Sequence, residues 1–129
     1  MTRYLVMRFV CVTLLGIAAG ACGNDDANVR VARALTGGDP ARGHQLLSQY
    51  GCVSCHTIPG VLDANANVGP PLTRVAMRTY LAGRIQNTPE NMMQWIRNPK
   101  SVDEKTAMPV TGVTERDGRD IVAYLYTLG

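Results

Sequence analysis

The sequence predicts an all-α domain over residues 39–129. Two segments begin with a capping residue followed by proline, Asp39-Pro40 and Thr88-Pro89, which is the usual pattern of a helix N-terminus. The apolar residues that follow each start recur at helical spacing. No segment combines alternation at every second residue with flanking turn residues, so no β-strand is predicted.

The first helix of this domain is predicted over residues 40–50, "PARGHQLLSQY". Gly43, Leu47 and Tyr50 share one face of it, and Gly51 is placed to end it. Further along the chain, the pattern alternates between loops and shorter helices. In order, these are a loop over 57–71, a short helical piece over 72–83, a helix over 89–97, a loop over 99–113 and a last helix capped by Thr114.

Residues 1–21 have the three parts of a secretory signal peptide. Arg3 and Arg8 give a positive start, residues 9–21 are apolar, and Ala19-Gly20-Ala21 supplies small residues before a cut. The apolar run is shorter than the roughly 20 residues that a transmembrane helix needs. A cleaved leader is therefore favoured over an uncleaved anchor.

Cleavage after Ala21 would leave Cys22 as the first residue. "AGAC" resembles the lipobox of bacterial lipoproteins, in which the cysteine is acylated; ordinary cleavage with a free thiol is the alternative. We expect lipidation of Cys22, because an unpaired thiol is a liability in an exported protein. Residues 22–38 then form a lipid-tethered linker at the periplasmic side of the cytoplasmic membrane, and a soluble periplasmic domain is the alternative.

The charge balance argues against nucleic acid as a partner. The chain has 13 Lys and Arg against 10 Asp and Glu, and two of the basic residues lie in the leader. No basic surface of the kind that nucleic acid requires is indicated. Aromatic residues make up 5% of the chain, so the apolar core is thin for a small domain, which we expect to be monomeric. A buried cofactor would supply the missing apolar contact.

The segment "CVSCH" is the motif that indicates a cofactor. Cys52 and Cys55 are spaced so that two thiols can add to the two vinyl groups of a porphyrin, and His56 follows to reach the iron. We therefore predict one covalent haem c with His56 as an axial ligand. Pro109 follows Met108 in a loop before the last helix, and a loop can present a thioether to iron. Met108 is the predicted second ligand.

Other interpretations of these residues are weaker. A thioredoxin-like site needs a βαβ context, and a zinc site needs about four ligands, whereas the other histidine, His44, lies on the preceding helix. A disulfide between the two cysteines would leave His56 without a role. For the second iron ligand, Met77 lies in the short helical piece, and Met92 and Met93 lie on a helix where methionine commonly fills the core.

Several stretches together resemble a class I cytochrome c, most closely the small haem domain attached to subunit II of some bacterial cytochrome c oxidases. They are, in family order, "GHQLLSQYGCVSCH", "VGPPL", "TPENMMQWIRNP", "TAMP" and "DIVAYLYTL". The resemblance covers residues 39–128. It implies the small helical cytochrome c fold around one haem.

The resemblance also implies roles for individual residues. The carbonyl of Pro70 would accept a hydrogen bond from His56, Arg78 would bind a haem propionate, and Trp95 would pack beside the haem near Met108. It further implies a close crossing of the first and last helices at Gly43. On the last helix, this crossing would involve Tyr124 and Leu125.

Two axial ligands leave no open position on iron, so the implied function is electron transfer and not catalysis. The implied partners are respiratory redox proteins such as a quinol–cytochrome c reductase and a terminal oxidase. Two alternatives stay open: a haem-relay subunit of an oxidase or dehydrogenase complex, and a haem enzyme or gas-binding protein with an open iron site. The related oxidase domain is normally fused to a copper-bearing subunit, whereas this chain carries its own export signal.

Overall fold

A computed structural model describes residues 23–129 as four α-helices and one small antiparallel sheet. The predicted leader over residues 1–21 and the predicted lipidation site Cys22 lie outside the described residues. Three short 3₁₀ turns complete the chain, at Cys52–Ser54, Val75–Met77 and Pro99–Ser101. The regular elements are α1 (Gly23–Thr36), α2 (Pro40–Gln49), β1 (Tyr80–Leu81), β2 (Ile85–Gln86), α3 (Pro89–Arg97) and α4 (Glu115–Thr127).

The predicted helix starts are confirmed by their capping contacts. The side chain of Asp39 accepts a hydrogen bond from the amide of Ala41 at the start of α2. Thr88 accepts one from the amide of Asn91 at the start of α3, and Thr114 caps α4 in the same way. Each contact satisfies an amide that has no partner within its own helix, which explains why each helix begins where it does.

Helices α2 and α4 cross at a glycine. A Cβ added at Gly43 would overlap the carbonyl of Asp120 and lie 3.0 Å from the amide of Ile121. The crossing therefore lies one turn earlier on α4 than the expected position at Tyr124 and Leu125. The buried core beneath it joins these two helices to α3, and includes Leu46, Leu47, Ile58, Val75, Met92, Ile96, Ile121, Val122 and Leu125.

The linker predicted over residues 22–38 is corrected by the structure, in which Gly23–Thr36 form the helix α1. Helix α1 packs against α4, and Ala32 is 1% exposed. An ion pair links the C-terminal turn of α1 to the start of α2, with 2.7 Å between a guanidinium nitrogen of Arg33 and Oδ1 of Asp39. The polar start and the terminal glycines of this segment favour a linker, whereas in the folded domain the small side chain of Ala32 lets α1 pack closely against α4.

The segment over residues 72–83 is less helical than predicted. It contains one 3₁₀ turn, and the chain then enters the hairpin of β1 and β2, in which Leu81 pairs with Ile85. Ala82 and Gly83 at its tip have positive φ angles of 50° and 64°. The hairpin is short, so the described domain remains mainly helical, in agreement with the predicted all-α class.

Over residues 23–129, the structure has no helix that is both long enough and apolar enough to cross a membrane.

Candidate functional site

Helices α2, α3 and α4 and the loops between them enclose a cavity of about 270 Å³. Most of its wall is apolar, and Leu47, Leu81, Ile96, Ile121 and Leu125 form part of it. The cavity brings together every site residue that the sequence predicted within the described range. These residues are Cys52, Cys55, His56, Pro70, Arg78, Trp95 and Met108.

His56 is held by the loop opposite it. Its Nδ1 lies 2.8 Å from the carbonyl oxygen of Pro70. Because a carbonyl can only accept a hydrogen bond, Nδ1 is the donor, and in the neutral ring the lone pair lies on Nε2. This is the contact that the resemblance implies for Pro70, and it leaves Nε2 as the nitrogen that can bind a metal.

Gly69 is a site residue that the sequence analysis did not single out. A Cβ at this position would lie 2.8 Å from Nδ1 and 3.0 Å from Nε2 of His56, and closer still to the ring carbon between them. The amide of Gly69 also donates to the carbonyl of Cys55 over 2.7 Å. Glycine is therefore required for the loop to lie flat against the imidazole. The signal is the glycine of "VGPPL", a stretch in which the resemblance implies a role for Pro70 alone.

The two cysteines line the cavity as free thiols in a tight turn. Gly51 has a φ of 74° and turns the chain out of α2, and the amides of Cys55 and His56 both donate to the carbonyl of Cys52. Burial raises the pKa of the Cys52 thiol. Catalysts of thiol–disulfide exchange depend on the opposite shift, a lowered pKa, so the environment of Cys52 does not favour that class of site.

Met108 is presented by a loop that carries its own internal hydrogen bonds. The amide of Met108 donates to Oγ1 of Thr106 over 3.2 Å, and the amide of Thr106 donates to the carbonyl of Asp103 over 3.1 Å. The Asp103 carboxylate accepts from the amide of Lys105 and pairs with Arg84 at 3.7 Å. Thr106, Met108 and the adjoining Pro109 all line the cavity.

Arg78 and Trp95 reach the cavity as half-buried side chains, and their expected contacts with haem stay predictions. The guanidinium of Arg78 donates to the carbonyl of Pro71. The side chain of Asn87 donates to the carbonyl of Arg78 over 2.8 Å and thereby fixes the backbone at that position. The local sequence around Asn87 carries no signal of this role, since the contact depends on the folded hairpin.

Of the other candidate ligands, Met92 lines the cavity, whereas Met77, Met93 and His44 lie outside its lining. Met92 is 2% exposed and forms part of the cavity wall, in addition to the core role expected for it. Met93 packs against Gly118 of α4, and Met77 is 64% exposed. His44 lies outside the cavity lining, with its Nε2 2.8 Å from the carbonyl of Gly60.

The chemistry of this wall fits a haem c. Two thiols, one imidazole with a free Nε2 and one thioether face an apolar cavity, which is the donor set for two thioether links and two axial ligands. Gly69 supplies the space that the imidazole occupies. Within residues 23–129, no group of three or more His, Cys, Asp and Glu side chains is placed to hold a metal ion.

Comparison with known proteins gives a family match and a curated relative. The family model described as "Cytochrome c" matches residues 40–129. A curated relative, Cytochrome c oxidase subunit 2 of Alkalihalophilus pseudofirmus, is 33% identical over 88 residues, which cover 67% of this chain and 25% of the relative. The chain thus spans a quarter of the length of that protein. No solved structure matches the present chain.

Proposed function

The chain belongs to the cytochrome c family, and we propose that it carries single electrons between respiratory redox proteins at a haem iron ligated by His56 and Met108. Membership of the family implies covalently bound haem c and electron transfer as its use. The ligand pair and the partners are our proposal. The observation that supports it most is the convergence of Cys52, Cys55, His56 and Met108 on one apolar cavity.

Haem c supplies one-electron chemistry between ferric and ferrous iron, at a potential set by the axial ligands, hydrogen bonds and burial. His56 would bind the iron through Nε2, because the carbonyl of Pro70 holds its Nδ1 proton. Met108 would supply its thioether as the second iron ligand, so that no position would be left for a substrate. The apolar side chains of Leu47 and Ile96 exclude water, which favours the less charged ferrous state.

Replacement of the proposed thioether ligand tests this assignment. We expect Met108→Ala to keep its covalent haem, to bind carbon monoxide in the ferrous state, and to lower the potential by something on the order of a hundred millivolts, because axial identity dominates haem potential. Met93→Leu is the matched control, since Met93 packs against α4 away from the cavity. Unchanged potential and no carbon monoxide binding in Met108→Ala would show that another group is the ligand.

The relative favours a second candidate, in which the chain is a haem-relay subunit of an oxidase complex. Such a role uses the same site and differs in its partners. A free carrier would shuttle between proteins such as a quinol–cytochrome c reductase and a terminal oxidase. Native electrophoresis of mildly solubilised membranes separates the two: a relay subunit migrates with oxidase activity, and a free carrier migrates alone.

We further propose that the domain is held at the periplasmic side of the cytoplasmic membrane by acylation of Cys22. The support is the leader-like segment before it, the small residues "AGA", and the commitment of Cys52 and Cys55 to haem. The mass of the mature N-terminus decides the matter. An unmodified Cys22 thiol would favour a soluble periplasmic protein and would leave the haem site untouched.

A further inference from the structure

Helix α1 has a second apolar face, which points away from the domain. Its packed side contains the buried Ala32, where α1 meets α4. On the other side, residues at the spacing i, i+3, i+4, i+7 and i+8 form one stripe, which we call the outer face of α1. Its members are Ala27, Arg30, Val31, Ala34 and Leu35. Val31 is 57% exposed and Leu35 is 55% exposed, so this stripe is open to a partner.

Charge on and beside α1 is balanced. The helix has two acidic residues in its first turn and two basic residues further along, which are Asp25, Asp26, Arg30 and Arg33. Arg33 is tied to the start of α2, and Arg30 is the charged member of the outer face. On the adjoining α4, Arg116 is exposed and Arg119 pairs with Glu115. The outer face therefore suits an apolar partner surface with a polar edge, and not a strongly charged one.

Helix α1 is joined to the rest of the domain without a flexible segment. Three residues separate it from α2, and an added Cβ at Gly38 among them would lie 2.9 Å from the amide of Asp120. The carboxylate of Asp120 accepts the amide of Asp39 over 2.7 Å. Because this junction is packed and hydrogen-bonded, the outer face of α1 has a fixed orientation relative to the cavity.

The chain before α1 indicates what covers its outer face. Gly23, the first residue of α1, directly follows Cys22, and the acyl chains of Cys22 would lie in the bilayer. We propose that the outer face of α1 rests on the phospholipid surface, with Val31 and Leu35 at the boundary between headgroups and acyl chains and Arg30 beside the phosphates. This inference rests on the membrane anchoring proposed above and adds the surface by which the domain meets the membrane.

The outer face would orient the domain and would not anchor it. Two partly exposed side chains bury too little area to hold a protein on a bilayer, since even a myristoyl chain gives only marginal binding. An acylated Cys22 changes this balance, because it keeps α1 at the surface and makes the contact intramolecular in effect. We therefore expect the contact in the acylated protein and not in a form without the anchor.

This orientation would keep the cavity off the lipid. Ile121 and Leu125 of α4 line the cavity, whereas none of the described residues of α1 does. Ala123, which lies on the other side of α4 from these two, is buried. Because α1 packs on α4, the cavity is separated from the bilayer by α4, a helix with a diameter of roughly 10 Å.

Cysteine labelling tests the contact, because haem attachment and acylation would leave an introduced thiol as the one that reacts. Acylated Val31→Cys and Leu35→Cys are bound to vesicles of phosphatidylethanolamine and phosphatidylglycerol and treated with a charged, water-soluble maleimide. Each should react about tenfold more slowly than in a Cys22→Ser background that is exported behind another cleavable leader. Lys100→Cys, at an exposed position after α3, is the control and should react equally in both.

Acidic residues on the outer face should lift it from the lipid. Ala34→Cys in the acylated protein should be protected in the same way, and addition of Val31→Glu with Leu35→Glu should restore its rate to within about twofold of the unanchored form, because carboxylates lose hydration at the acyl boundary. Gln45→Glu with Ser48→Glu is the matched control at exposed positions of α2, and should leave Ala34→Cys protected.

Two results would overturn the contact. One is equal labelling of Val31→Cys and Lys100→Cys on vesicles. The other is protection of Val31→Cys in the unanchored form, since a second copy of the chain would then cover the outer face. Sedimentation of the vesicles separates this failure from failure of the anchor. Haem protein that sediments and labels equally removes the role of α1 alone, whereas haem protein that stays in the supernatant removes the proposed membrane anchoring as well.

Discussion

At the scale of single residues, the site depends on how tightly the loop before Pro70 lies against His56. The Pro70 carbonyl fixes the ring through Nδ1, and Gly69 leaves the space in which the ring sits. A hydrogen bond from Nδ1 makes Nε2 a stronger donor to iron, which stabilises the ferric state. The loop thus controls both the position of the proposed ligand His56 and its basicity.

Gly69→Ala should move His56 away from Pro70. Because the added Cβ would overlap the ring, we expect a loss of about 1–3 kcal/mol in the free energy of unfolding. The weakened hydrogen bond should raise the potential by something on the order of tens of millivolts. Gly37→Ala is the control, since Gly37 has a φ of 68° and open space around it. It should cost stability without changing the potential; an equal shift in both variants would contradict this role of Gly69.

Asp117 is the residue whose protonation should couple stability to pH. Hydrogen bonds from Tyr50 and Arg42 lower the pKa of the Asp117 carboxyl below its ordinary value. A lowered folded-state pKa contributes stability above the unfolded-state pKa of about 3.9, and this contribution is lost as the pH falls through the folded-state value.

We therefore expect native protein to lose more stability between about pH 4 and pH 2 than Asp117→Asn does. Urea unfolding at each pH measures the difference. Glu115→Gln is the matched control on the same helix, with a carboxylate side chain that is 60% exposed. If Asp117→Asn and the native protein lose stability in parallel over this range, the ionised contact between α2 and α4 is not what acid disrupts.

At the scale of elements, the loop that presents Met108 is organised by Asp103. Its carbonyl and carboxylate accept from the amides of Thr106 and Lys105, and Oδ2 faces Arg84 at the end of the hairpin turn. The ion pair is exposed on the arginine side and contributes little by itself. The turn hydrogen bonds are the part of this arrangement that holds the loop in shape.

Asp103→Ala should therefore loosen Met108 while the haem stays attached. Iron–methionine ligation is expected to give ferric protein a weak absorption band at long wavelength, which disappears when the methionine is displaced at high pH. Loss of about 1 kcal/mol in the turn should lower the midpoint pH of this displacement by roughly one unit. Asp103→Asn keeps an acceptor oxygen and should retain the native transition, and Glu104→Ala, at an exposed neighbour, should do the same. A transition unchanged in Asp103→Ala would show that the loop is held elsewhere.

At the scale of the whole molecule, α1 makes the domain larger than its haem-binding part. The family match begins at residue 40, whereas α1 ends at Thr36 and packs on α4 with Ala32 buried. Asp120 connects the two regions, because its carboxylate accepts from the amide of Asp39 at the junction of α1 and α2. The segment before the haem domain is thus part of the folded unit.

Ala32→Asp tests whether α1 stabilises the domain. A buried carboxylate without a counter-charge should cost about 3 kcal/mol of unfolding free energy. Ala34→Asp is the matched control at an exposed position of the same helix, and should cost less than about 1 kcal/mol. Thermal unfolding followed by haem absorbance measures both. Equal stability of the two variants would mean that α1 detaches without effect on the domain.

The sequence alone determined the helix starts and the composition of the site. A capping residue such as Thr88 binds an amide within three residues of itself. The cysteine–histidine motif likewise consists of residues that are close along the chain, so both features can be predicted without knowledge of the tertiary structure. The proline-stopped helix over 89–97 was predicted to the residue for the same reason. These features depend on local geometry, which the order of residues specifies directly.

Only the tertiary structure decided the contacts between distant segments. That Gly69 lies flat on His56, that Tyr50 reaches Asp117, and that residues 23–36 form a helix against α4 all depend on which surfaces meet. The same segment that sequence composition presents as a linker becomes a helix once Ala32 is buried. The physical reason is that burial is a property of the packed chain, and tertiary packing supplies most of the stability of a short helix.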